Sequence, residues 1–384
     1  MIDFQRVSVI VDTATLAVPS ICFGLCPVLC LQVLLQGDSA RPGALSGRVF
    51  AVSTSGSLCG GLAGAFIGVQ NLGIGTTLIC LAAILAVLAA LLQVNRCVLA
   101  AGPVLLGLAF NSGGAPSRAG MSLIESRESP WQTVQVLRSG AWTVMAFGPE
   151  NQTVWHPENR QGAPYLAVLT ELARVHRVHE ALIIGGAGNA LGHMLEDLGI
   201  GVTVLELDPV VAEMAGRYFG LLKGRVLLGD GRITLRRHGI EPVDLLVLDA
   251  FCGPGMIPPH LLTLEAIEEY AARLRAGGIL AINMHGAPAG ESSRGVRVVC
   301  DTVGSVFETT RIWPIVETTN QSTEWQNIWV LASSVVDFSD GLPAVEGSGV
   351  PATDDLNPLE VMLPNLSMRA FAGQPLDSIW QLGS

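Results

Sequence analysis

Charge is what this sequence of 384 residues has least of. Asp, Glu, Lys and Arg make up 14% of it, and the mean hydropathy is +0.47. The apolar excess lies mostly before Gly113, which implies a membrane part followed by a soluble part. Positive charge is scarcer still: 22 Lys and Arg face 33 Asp and Glu, for a net charge of −11. No basic stripe is present, and phosphate backbones require clustered cations, so nucleic acid is excluded as an expected partner. The acidic balance suits plain solubility and is also compatible with cationic substrates. Of the 8 cysteines, only Cys252 and Cys300 lie in the soluble half, so no disulfide framework is expected there. Cys22, Cys26 and Cys30 share one helix face, but no His or second Cys pair accompanies them. They read as helix packing, and no metal is expected. A small-residue cleavage site after a short apolar core is also missing, which argues against a signal peptide.

Three apolar stretches are long enough to span a bilayer: residues 7–35, 49–69 and 74–94. A fourth, 97–110, is short for a span and suits an interface. With three spans, Arg41, Arg48, Arg96, Arg118 and Arg127 fall on one side, while the 70–73 loop carries no positive charge. The positive side is the cytoplasmic one, which places the soluble part in the cytoplasm. Gly56, Gly60, Gly64 and Gly68 repeat every four residues along the second span, suited to close helix packing within the chain or between copies. Asp12 is a carboxylate near the end of the first span, where it reaches the interface cheaply.

The soluble half reads as α/β. Residues 125–144 alternate like strands about a turn at Ser139-Gly140, predicting a small β-hairpin region. Residues 163–176 are helical in pattern. Repeated strand–helix units follow, with strands at 181–184, 202–207, 226–228, 243–248 and 278–284. Such units predict a parallel sheet with helices on both faces, of class I methyltransferase-type Rossmann character. Ligands bind such sheets at the carboxyl ends of the strands. The expected organisation is a transmembrane helical region at 1–112, a hairpin region and linker at 113–165, a Rossmann-like domain at 166–340 and a tail at 341–384.

Residues at the strand ends suggest roles. Gly185, Gly186 and Gly188 follow the first strand, where glycine lets backbone approach a nucleotide. Glu206 ends the second strand and can accept from ribose hydroxyls. Asp230, before Gly231, can accept from an adenine amino group; the alternative reading is a turn aspartate. Asp249 ends the fourth strand.

At these residues the sequence resembles the spermidine synthase (polyamine aminopropyltransferase) family. The matching runs are LIIGGAGN, VTVLELDP, GDGR, VDLLVLDAF and LRAGGILAIN, over roughly residues 125–335. Gln132 in SPWQTVQV and Tyr165 look like the family's strand glutamine and helix tyrosine. RVFAVSTSGSLCGGLAGAFIG, IPPHLLTLEAI and ATDDLNPLE resemble bacterial multispan proteins carrying a spermidine-synthase-like domain. The resemblance implies aminopropyl transfer from decarboxylated S-adenosylmethionine to an amine such as putrescine. It implies Asp249 as catalytic residue, and Gly185, Gly186, Gly188, Glu206, Asp230, Gly231 and Gln132 as donor-binding residues. Tyr165 and His260 are implied on the amine side.

It also implies a place in the bacterial inner membrane, in contact with lipid, as a homo-oligomer or part of a membrane complex. Two departures stand out. Gly188 occupies the place of a family aspartate that contacts the donor's amine, and Cys252 that of a second aspartate. His260, Asp354 or Asp355 are candidates to replace the lost charge. Without the carboxylate at 188, intact S-adenosylmethionine becomes an alternative donor for methyl transfer. A non-catalytic subunit of a membrane complex is the third reading.

Overall fold

The structure, a computed structural model, describes residues 27–28, 31–32, 42–91, 120–148, 150–252, 256–315, 322–338, 342–343, 347, 350–360 and 362–363. The chain divides into two compact units, Met1–Ala115 and Pro116–Ser384.

In the first unit, helix α1 (Pro42–Ala63) runs into a π-helical stretch, Gly64–Val69, and then into α2 (Gln70–Leu91). Gly73 breaks the helix with φ 77° and ψ 168°, a conformation that glycine adopts without steric strain. Gly68 supplies close packing at this turn: a Cβ there would lie 2.7 Å from Thr77 Cγ2. Among the described residues one helix, Pro42–Val69, is long and apolar enough to cross a membrane. It contains the expected second span. The expected third is helical as far as Leu91. The first lies almost wholly outside the described residues, as do the short run at 97–110, Asp12, Cys22, Cys26 and Cys30.

The second unit opens with an antiparallel sheet of five strands: β1 (Ser122–Glu128), β2 (Thr133–Ser139), β3 (Trp142–Phe147), β4 (Glu150–His156) and β5 (Gln161–Gly162). The expected hairpin is thus only part of a larger sheet. The turn after Ser139 is present, with Gly140 at φ +56°. What hid β4 is a bulge: Met145 pairs with Thr153 and Ala146 with Asn151, leaving Gln152 as an extra residue. A bulge breaks the period-two alternation by which a strand is read.

The α/β domain follows: α3 (Tyr165–Val175), β6 (Glu180–Ile184), α4 (Ala190–Asp197), β7 (Gly201–Glu206), α5 (Pro209–Tyr218), β8 (Arg225–Leu228), α6 (Gly231–Arg237), β9 (Val243–Leu248), α7 (Leu264–Ala271), β10 (Leu274–Gly286), α8 (Arg294–Gly304), β11 (Thr309–Pro314), β12 (Gln326–Ser333) and β13 (Leu342–Pro343). The sheet order is β13-β11-β12-β10-β9-β6-β7-β8. β8, β7, β6, β9 and β10 are parallel, as expected. β11, β12 and β13 join antiparallel, so the sheet is mixed rather than wholly parallel.

The strands read as continuous apolar runs because both faces are covered. Ala181 and Ile183 of β6, with Leu245 and Val247 of β9, enter one core beneath α3, α4 and α5. Leu182, Ile184, Leu246 and Leu248 enter the other, beneath α6, α7 and α8. Ala352, Leu359 and Leu363 join that second core, so part of the expected tail packs on the domain. The strand order reverses between β6 and β9. A crevice opens there at the carboxyl ends, the place where open α/β sheets bind ligands.

Candidate functional site

Gly185 leaves β6 with φ +90°. A Cβ on it would lie 2.5 Å from the Asp249 carbonyl oxygen, so only glycine lets these two strand ends meet. Ala187 and Asn189 follow at φ 42° and 59°, an uncommon conformation for residues with side chains. The loop is held by Glu206. Its Oε2 accepts from the Gly186 and Ala187 N–H groups at 3.1 and 3.2 Å, and its Oε1 from the Asp208 N–H at 3.0 Å. Burial pushes the Glu206 carboxyl above its ordinary range, while these three bonds favour the charged form. A carboxylate offers about four acceptor positions, so one remains open after these three bonds. Glu206 therefore shapes the loop as well as facing the crevice.

A cleft of about 450 Å³ lies over these strand ends. Gln132, Gly185, Glu206, Asp208, Asp230, Gly231, Asp249, Cys252 and His260 are among its lining residues. Its size is that of a small-molecule site. Gly231 lets α6 start against β6, since a Cβ there would lie 2.4 Å from Ile184 Cγ2. Asp230 caps α6 by accepting from the Ile233 N–H at 2.9 Å. Its other oxygen is 2.9 Å from His260 Nε2. His260 thus sits with Asp230 at the large cleft. Asp354 is held by Arg232, at 2.6 and 2.8 Å, and by Thr263 at 2.7 Å. Neither Asp354 nor Asp355 is among the residues lining the cleft, so charge lost at 188 and 252 is not replaced from there.

A second, smaller cavity of about 60 Å³ adjoins the cleft. Tyr165, Thr153, Asp249, Asn283, His285 and Asn327 line it. Asp249 borders both spaces and keeps some exposed surface there. The protein around it still removes enough water to push its carboxyl up to about 6, against an opposing bond of 2.8 Å from Asn283 Nδ2. Burial, and then the Asp249 charge, hold the Tyr165 phenol well above its usual range. Burial also takes the His285 imidazole down to about 4, partly offset by a hydrogen bond with the Asn327 side chain. His285 is therefore neutral near pH 7. His285 Nδ1 and Asn283 Oδ1 are buried without a partner.

The glycine at 188 is enforced by packing. A Cβ there would lie 2.8 Å from Thr153 Cγ2 and 2.9 Å from the Phe219 ring, and its N–H donates to Thr153 Oγ1 at 2.9 Å. The room for a side chain is taken. Gly186 and Gly188 both belong to the loop, but Gly186 borders only the small cavity and Gly188 neither.

Sequence reading missed Glu150, Gln152, Asn283, His285 and Asn327, all of which border the small cavity. A signal for two of them was present: Asn283 and His285 are polar side chains at alternate positions of an otherwise apolar strand, which puts both on one face.

No protein-family model matches the chain. Over 185 residues it is 30% identical to a polyamine aminopropyltransferase from Vibrio vulnificus, covering 44% of this chain and 62% of that protein. Over 168 residues it is 32% identical to an N-terminal histidine N-methyltransferase from Emericella nidulans, covering 39% of this chain and 29% of that one. The chain thus spans less than two thirds of the length of either curated relative. A solved structure of a probable spermidine synthase from Corynebacterium glutamicum aligns with TM-score 0.48 at 16% identity, over 57% of this chain and 82% of that one. The chain is thus distantly similar in sequence to a polyamine aminopropyltransferase, and its second unit carries an antiparallel sheet followed by a Rossmann-like mixed sheet.

Proposed function

We propose that the chain is a transferase that moves a carbon group from a sulfonium nucleoside to an amine nitrogen. The observation that carries this is the position of Asp249. It stands at the topological switch point, between a nucleoside-sized cleft and a small second cavity. In this reading the donor's ribose lies by Glu206 and its adenine toward Asp230, in the cleft that Gln132 also lines. The amine enters the small cavity beside Asp249 and Tyr165.

The reaction proposed first is aminopropyl transfer from decarboxylated S-adenosylmethionine, in keeping with the match to the Vibrio protein. The amine lone pair attacks the carbon beside the sulfonium. The C–N bond forms, the C–S bond breaks, and its electron pair returns to sulfur as a neutral thioether. Asp249 takes the proton that the amine loses. A carboxyl raised to about 6 is charged at pH 7 yet basic enough for this task.

A second reading, methyl transfer from S-adenosylmethionine, is favoured by one feature. Packing of Thr153 and Phe219 closes the space at Gly188, so no carboxylate can stand there against the donor's own carboxylate. The match to an N-methyltransferase agrees with this reading.

The test is calorimetric titration of the full-length protein with each donor, alongside Glu206→Ala. Binding that disappears in the variant supports a transferase, and the preferred donor selects the chemistry. Binding of neither donor sinks the transferase reading and favours a docking subunit.

For the first unit we propose membrane anchoring in a bacterial inner membrane, with the α/β domain in the cytoplasm. The support is the apolar helix Pro42–Val69, which leaves Phe50, Leu58, Phe66 and Ile67 exposed. Recovery in the soluble fraction after cell lysis without detergent would overturn this.

A further inference from the structure

The small cavity separates its charged from its neutral lining by position. The carboxylates that border it are Glu150 and Asp249, and both also border the large cleft. Both therefore stand at the junction of the two spaces. The lining that belongs to the small cavity alone includes Asn151, Thr153, Tyr165, Asn283, His285 and Asn327, and it carries no carboxylate. His285 is the ionisable group that faces this part from β10, and its imidazole is uncharged. Asn283, on the same face of β10, and Asn327, opposite His285 on β12, are neutral as well. A row of neutral hydrogen-bonding groups thus leads away from Asp249. Two of its polar atoms, Asn283 Oδ1 and His285 Nδ1, are buried and unpartnered. Atoms of this kind gain a hydrogen bond when a ligand supplies the complementary group.

We infer that the acceptor carries a single amine, at the Asp249 end, on a body whose far end is uncharged and hydrogen-bonding, and that the site selects against diamines with a cation at both ends. This rests on the transferase reading of the same site. One ammonium finds carboxylates at the junction. A second, several carbons further on, enters a region with none, and an unpaired buried cation is costly. A hydroxyl or amide at that point instead meets the Asn283, His285 and Asn327 side chains. The Phe251 ring, 5.2 Å from the His285 ring, gives the body of such a molecule an aromatic wall.

The test uses putrescine and aminobutanol, which differ only in whether the far end is an ammonium or a hydroxyl. Each is titrated into the full-length protein saturated with methylthioadenosine, the nucleoside product of aminopropyl transfer. Aminobutanol is expected to bind about tenfold more tightly or better, the factor that corresponds to 1.4 kcal/mol. Equal or tighter putrescine binding overturns the inference, and so does failure of both amines to bind. Binding of methylthioadenosine, read in the same experiment, tests the donor cleft separately, so the two readings fail independently. His285→Glu, which puts a carboxylate at the far end, is expected to shift preference toward putrescine. An unchanged preference in a variant with native circular dichroism overturns the role given to His285.

Discussion

The two cavities meet at Asp249 and differ in the polar groups that line them. The large cleft is built from backbone N–H groups, glycines at tight turns and carboxylates on successive strand ends. The small cavity shares the glycine loop on one side, and its polar lining comes from side chains on β4, β10 and β12 that the backbone does not dictate. Donor recognition of the first kind is tied to the topology of the sheet. Acceptor recognition of the second kind can be rewritten one side chain at a time without disturbing the donor. A family resemblance read from strand-end motifs therefore speaks to the donor and says little about the acceptor.

The sharpest way to separate the two sides is at their shared residue. Asp249→Asn is expected to lower kcat about a thousandfold, the scale of a lost general base, with donor affinity kept. An equal loss of donor affinity would show that the two cavities do not act separately. The same change is expected to stabilise the protein. The Asp249 carboxyl lies at about 6, above the usual 3.8, so the folded state binds more protons between those values. Stability then falls as pH rises through that window. A neutral Asn removes the penalty, worth up to about 3 kcal/mol at pH 7.5, readable as a higher Tm.

Glu206→Ala removes a side chain that lines the large cleft and not the small cavity. It is expected to weaken donor binding about a hundredfold, or roughly 3 kcal/mol, by calorimetry. Amine binding should survive, and its loss would mean that the Gly185 loop organises both cavities. Gly188→Ala probes the wall between the loop and β4. Its added methyl meets Thr153 and Phe219, so thermal unfolding should show a loss of about 1–3 kcal/mol. An unchanged Tm would mean that these neighbours yield and that a carboxylate could be accommodated there. The smallest effect is expected at Asn283. Its amide bond lowers the Asp249 pKa, so Asn283→Ala should move the acidic limb of the kcat/KM profile to higher pH. A limb that stays in place would show that another group sets it.

The legibility of the fold divides along the same line. Strands β6, β7 and β9 are legible in the sequence to within a residue or so, because long buried apolar runs bounded by Gly or Asp have few other readings. Gly185, Glu206, Asp230 and Asp249 stand together at the carboxyl ends because their order along the chain maps onto the order of strands. What stayed hidden depends on contacts between distant segments. The bulge at Gln152 disguised β4, and the antiparallel return of β11, β12 and β13 has no strand–helix rhythm to announce it. Asn327 gains a role only by pairing with His285 across that return. Gly188 could be read as an absent charge, but not as a packed contact, since Thr153 and Phe219 reach it from 35 and 31 residues away. Asp354 reads in the sequence as a candidate charge for a substrate, and only the fold pairs it with Arg232.

That last pair has a consequence for how the protein is made. Arg232 lies in α6, the helix capped by Asp230, and its guanidinium is buried. One of its two carboxylate partners, Asp354, comes 122 residues later in the chain. A nascent chain can assemble every strand of the parallel sheet and still hold that cation with Glu269 alone, a carboxylate that Arg236 shares. The Asp230 end of the large cleft is therefore finished only after the ribosome has passed the 350s. Premature stops shortly before that point should yield proteins with an intact glycine loop and a loosened α6, which is a state chaperones and proteases recognise.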